Sequence, residues 1–150
     1  MAALDHHAQS GRVMWIGLRG ARLDPPRVVD AAEVTEGGLL GDHGRAGKRA
    51  VTLIQWEHLA VIASLLGRDV VPETLRRNIA VAGLNLNALR GAVVRVGGAV
   101  LRVTGPCAPC SRMETALGHG GWTALRGHGG WCAEVVAPGK VALGDAVSVE

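Results

Sequence analysis

The apolar residues of this chain fall in short, valine-rich runs: VMWIGL, VVDAAEV, AVTLI, NIAVAGL, AVVRVGG, AVLRVTG, WCAEVVA and KVALGDAVSVE. Glycine, proline or a charged residue closes nearly every one. Runs of this length, bounded by turn residues at close spacing, are the signature of strands, and they predict a mainly β fold with short helices (α+β), a barrel or a sandwich. Two segments follow a helical period instead. In QWEHLAVIASLLG, Trp56, Leu59, Ala60, Ile62, Ala63 and Leu66 make one apolar stripe and Gly67 supplies a stop, so this helix is expected to plug or cover the barrel. In SRMETALG, Ser111 can cap, Glu114 stands three residues later as in a capping box, and Gly118 ends the helix. The motif GHGGW occurs twice, nine residues apart, which is too short a period for a solenoid and reads as two glycine turns.

A chain of 150 residues with 48% hydrophobic content supports one domain with a proper core. Residues 1–11 carry no periodic pattern and are expected to be a flexible N-terminus, leaving residues 12–150 as the domain. No apolar run approaches the roughly 20 residues of a membrane helix. The opening MAALDHHAQSGR lacks the basic-then-apolar pattern of a signal peptide, so a cytoplasmic location is expected. The net charge is only +3, the basic residues are scattered in pairs, and Phe and Tyr are absent. That argues against a nucleic-acid face and for a local anion pocket.

Three stretches carry candidate chemistry. The loop GDHGRAGKR, residues 41–49, offers glycines and Lys48, but Asp42 and Arg49 stand where a Walker motif needs Gly and Ser or Thr, and a strand follows where that motif opens a helix. Either it is a solvated hairpin loop, or Lys48 and Arg49 hold an anion. In LRRNIAVAGLNL, two arginines and an asparagine precede a strand, an arrangement that suits the fork geometry of Arg gripping something planar and anionic. Strand alternation puts Arg76 and Asn78 on one face and Arg77 on the other. The histidines beside glycines, His43, His119 and His128, are weak signals.

The third stretch is TGPCAPCSRM. Its Cys107 and Cys110 admit four readings: half of a structural zinc site completed by His128 and Cys132, a redox pair, inert thiols, or a holder for one working sulfur. A thioredoxin-type pair needs a βαβ surrounding that this pattern lacks. A cysteine just ahead of a short helix, with Arg112 nearby, has its thiolate favoured, the form that attacks sulfur donors and binds soft metals.

Taken in order, EGGLLGDHGRAGKRAVTLIQWEHL, LRRNIAVAGLNLNAL, GAVVRVGGAVLRVTGPCAPCSRM and RGHGGWCAEVVAPGKVALGDAVSVE resemble the MOSC domain, the family named after the C-terminal domain of molybdenum cofactor sulfurases. The likeness spans about residues 12–150 and includes the Gly41-Asp42 turn, Arg76-x-Asn78, Pro109-Cys110 and Gly144-Asp145. It implies a MOSC-like β-barrel that binds molybdenum cofactor (molybdopterin), with Cys110 as molybdenum ligand or sulfur carrier. Arg76 and Asn78 would then lie on the cofactor-gripping element, with Lys48, Arg49 and Arg112 as further cofactor-binding cations. The implied activities are reduction of N-hydroxylated compounds with electrons from a separate redox partner, or sulfur transfer to metal-sulfur centres from a sulfur donor protein. Neither the pyridoxal-phosphate domain of the sulfurases nor a flavin, haem or iron-sulfur motif is present. The rival is a non-enzymatic domain whose Cys107, Cys110, His128 and Cys132 hold structural zinc.

Overall fold

A computed structural model describes residues 6–21, 24–107 and 111–150, of which Ser111 and Arg112 are described only as helix backbone. Eleven strands lie among these residues: β1 (Gly11–Leu18), β2 (Arg27–Val29), β3 (Ala31–Thr35), β4 (Gly38–Leu39), β5 (Val51–Gln55), β6 (Ile79–Ala82), β7 (Val93–Val96), β8 (Ala99–Pro106), β9 (Trp131–Ala137), β10 (Gly139–Ala142) and β11 (Ala146–Val149). The sheet order β11-β7-β8-β9-β5-β6-β1 closes through a β1–β11 pairing, giving a seven-stranded barrel with β2 added on β1. Strands β10, β3 and β4 form a second, small sheet. Of the ladders along the barrel, β5–β6 is parallel and the others are antiparallel. The expected mainly β barrel is therefore the fold.

Period-two alternation sorts the apolar side chains between two cores. Ile16, Leu53, Ile79 and Val81 fill the barrel with Val94, Leu101 and Val147. Their strand neighbours Trp15, Ile54 and Ala80 point outward, where they meet Leu59, Ile62, Leu75, Met113, Leu117 and Leu125 from the helices. This is why every residue of β5 is buried. Helix α1 (Trp56–Leu66) ends, as its pattern predicts, at Gly67 in the left-handed conformation. It covers the outside of the barrel wall rather than plugging its lumen, because its buried Leu59 and Ile62 pack on outward-facing side chains. Truncating such a residue to alanine typically costs about 2–5 kcal/mol.

Three helical pieces are not apparent from the apolar pattern. Helix α2 (Pro72–Leu75), α4 (Gly121–Leu125) and a 3-10 turn (Leu86–Ala88) are each five residues or fewer, too short to show a period. Helix α3 (Ser111–Leu117) stands where expected, but Glu114 does a different job from the capping box. Its carboxylate accepts from the backbone N–H of Gly120 (3.1 Å) and Trp122 (2.9 Å), so it caps α4. The two GHGGW copies also diverge: the first opens α4 and the second leads into β9.

Residues 1–5 of the expected flexible N-terminus lie outside the described residues, and β1 already begins at Gly11. Among the described residues no helix is long and apolar enough to cross a membrane.

Candidate functional site

A cleft of about 1000 Å³ opens beside β5, whose Thr52 contributes to its lining. Its cations come from three places. Arg19 follows β1, Arg77 precedes β6, and Arg45, Lys48 and Arg49 stand on the loop leading into β5. Cys107, just past β8, and Cys132, in β9, line it too. Lys48 and Arg49, singled out in the sequence as possible anion holders, are thus brought together with a third stretch, the cysteines. The hydroxyl of Thr104 fastens the loop by donating to the Lys48 carbonyl (2.6 Å), beside the Cys132 carbonyl (3.1 Å).

Behind the cleft lies a buried polar network. The Asp42 side chain is fully buried and receives Arg19 as a fork, Nε to Oδ1 at 3.0 Å and Nη2 to Oδ2 at 2.9 Å, while the Arg19 and Gly44 backbone N–H groups donate at 2.6 and 2.9 Å. Burial alone would raise this carboxyl. The Arg19 hydrogen bonds and charge, with Gly44, outweigh it and hold the pKa below its ordinary 3.8. Asn78 joins the same network. Its amide donates to Asp42 Oδ1 (3.1 Å) and the Gly17 carbonyl (3.2 Å), and its Oδ1 accepts from the Thr52 backbone N–H (3.0 Å).

Asn78 is 0% exposed, so it organises the cleft from behind. Nor does Arg76 line the cleft: its guanidinium donates to the carbonyls of Ala21 and Asp24. The alternation argument fails here because the strand starts only at Ile79. Pro72 opens a one-turn helix, and Arg76 terminates it in the left-handed region at φ 56°. Arg77 is thereby turned into the cleft, where its Nε donates to the Gly129 carbonyl at 2.7 Å. The proline ahead of LRRN was the available signal for this turn. Arg19 and Asp42 were harder to find, since their pairing joins residues 23 apart. Cys110 and the side chain of Arg112 lie outside the described residues.

The sulfurs of Cys107 and Cys132 are 3.3 Å apart. Hydrogen bonding from the Cys107 thiol drives Cys132 toward thiolate; burial opposes this, and Arg49, Arg77 and Arg19 support it, so that its pKa falls to about 6. The same hydrogen bond, then burial, raises Cys107. His128 is not part of this pair: its ring meets that of His58 edge to face at 5.0 Å. Among the described residues no group of three or more His, Cys, Asp or Glu side chains is placed to hold a metal. Cys107, Cys132 and His128 therefore do not make three quarters of the zinc site that the sequence allowed. The two cysteines face one another across a ladder, and the histidine turns to α1.

The molecule is thus a small closed β-barrel with a cleft lined by cations and two thiols. The MOSC domain model matches residues 26–148, and the chain belongs to that family. Solved structures of similar fold include the YuaD protein from Bacillus subtilis, at 20% identity and TM-score 0.80 over 94% of this chain and 96% of that one. YiiM from Escherichia coli matches at 26% identity and TM-score 0.73, over 93% and 69% of the respective chains. YiiM from Geobacillus stearothermophilus matches at 17% and 0.79, over 93% and 75%. No curated protein sequence matches the chain.

Proposed function

We propose that the cleft binds a phosphorylated ligand carrying a thiophilic metal, namely the molybdenum cofactor with which the MOSC family is associated. The observation that carries this reading is the meeting of five cationic side chains with two thiols in one cleft of about 1000 Å³. Guanidinium forks suit phosphate oxygens, and thiolates suit soft metals, so the donor set fits such a group. Arg19 is already neutralised by Asp42. The direct phosphate contacts therefore fall to Arg77, Lys48 and Arg49, while Arg76 and Asn78 position the segment that presents Arg77.

Cys110, three residues beyond Cys107 in the chain, is the proposed metal-holding thiolate. When bound, the cofactor supplies a centre able to take the oxygen atom from an N-hydroxylated substrate, with electrons from a separate redox protein. If Cys110 instead carries sulfur, the protein delivers it as a persulfide to a metal-sulfur centre.

The test is the molybdenum and pterin content of protein from a cofactor-making host. Wild type should carry both, and Cys110→Ala should keep the pterin and lose the metal. Arg77→Ala should weaken cofactor retention by about ten- to a hundredfold, the worth of a charged hydrogen bond, with Arg76→Ala doing less. Wild type devoid of both, but bearing a cyanide-labile sulfur absent in Cys110→Ala, would replace cofactor binding by sulfur carriage.

A further inference from the structure

The structure assigns a second chemistry to the cleft, independent of any cofactor: Cys107 and Cys132 form a two-cysteine redox site that a hydroperoxide converts to an intramolecular disulfide. Four observations support this. The sulfurs lie at 3.3 Å, so they need close by only about 1.2 Å to reach bonding distance. Both residues line the cleft, which gives a small oxidant access. Yet Cys107 is 8% and Cys132 7% exposed, which favours a partner as small as a hydroperoxide over a bulky disulfide. Finally, their backbones are held in register, with Cys132 opposite Gly105 and the Cys107 N–H donating to the Gly130 carbonyl at 2.8 Å. The two side chains thus meet diagonally across the end of the β8–β9 ladder.

The two sulfurs are not equivalent, and the difference sets the order of events. Cys132, beside Arg49 and Arg77, is the attacking thiolate, while Cys107 keeps its proton. The Cys132 sulfur attacks the terminal, OH-bearing oxygen of the peroxide, the O–O bond breaks, and the other oxygen leaves as alkoxide, or as hydroxide from hydrogen peroxide; the product is a sulfenic acid on Cys132. The Cys107 sulfur then attacks the Cys132 sulfur, the S–O bond breaks, and the departing hydroxyl takes the Cys107 proton as water. Two electrons have passed from the thiols to the peroxide, and an external dithiol returns them. The cleft meanwhile loses a negative charge beside its arginines, so oxidation changes the field it presents to an anion.

Reduced wild type and Cys110→Ser should be treated with hydrogen peroxide, alkylated and mapped by peptide mass spectrometry. The expected result in both is a Cys107–Cys132 linked peptide, lighter by two hydrogens and reversed by dithiothreitol. Cys107→Ser should instead stop at a dimedone-reactive sulfenic acid on Cys132. A link running through Cys110, a wild-type Cys132 that stays at sulfenic acid, or both thiols still open to alkylation after peroxide would each overturn the assignment. None of these outcomes depends on whether the protein binds a pterin.

Discussion

Individual side chains here are defined by what they face, and the two described cysteines make the point. Both are buried, yet one is pushed toward thiolate and the other toward thiol: a single proton lies between them, burial raises Cys107 further, and Arg49 joins Arg77 and Arg19 in favouring the Cys132 thiolate. A small alkylating reagent should therefore modify Cys132 before Cys107. Its rate should be level above pH 7 and fall about tenfold per pH unit once below about 6, as the thiolate is titrated away. Mass spectrometry after timed iodoacetamide pulses reads this, and preferential labelling of Cys107 would contradict it. Sequence alone showed Lys48, Arg49 and the cysteines as chemistry-bearing residues. Cys132 entered there only as a fourth zinc ligand, and its direct pairing with Cys107 was hidden because 25 residues separate them and only the β8–β9 ladder joins them. Arg76 rather than Arg77 was expected to meet an anion, for a local reason. Alternation was applied to a residue pair that a proline-led turn had removed from the strand.

At the scale of elements, long periodic segments were legible and one-turn pieces were not. The valine-rich runs became strands and the stripe of α1 became a helix, since each repeats its period often enough to be read. Helices α2 and α4 are specified by single residues, Pro72 and the carboxylate of Glu114 reaching over from α3. The turn into β9 depends likewise on one residue. Gly130 has φ 97°, and a Cβ there would run into the Leu53 carbonyl of β5. Gly130→Ala combines left-handed strain with a backbone collision and should cost at least about 2 kcal/mol, measured by chemical denaturation. The same substitution at Gly127, also left-handed but with open space around its Cβ position, should cost less. Equal losses at both would show that β5 does not press on this turn.

Over the whole molecule, the buried ion pair ties the end of β1 to the loop before β5, and through Asn78 to the start of β6. Three elements of the cleft thus share one carboxylate, Asp42. Since its pKa is lowered on folding, its contribution is fully present above the ordinary value of 3.8 and is lost as pH falls through the lower folded-state value. Acid should accordingly weaken the wild type below about pH 4 by releasing Arg19. Asp42→Asn keeps the side chain's shape but leaves Arg19 facing an amide, which for a buried pair typically costs about 3–5 kcal/mol near neutral pH. The difference in melting temperature between the two proteins should therefore be large at pH 7 and shrink steadily on acidification below pH 4. If the gap were the same at both ends of that range, Asp42 would owe its importance to shape rather than to charge, and the cleft would be held together by the Asn78 hydrogen bonds alone.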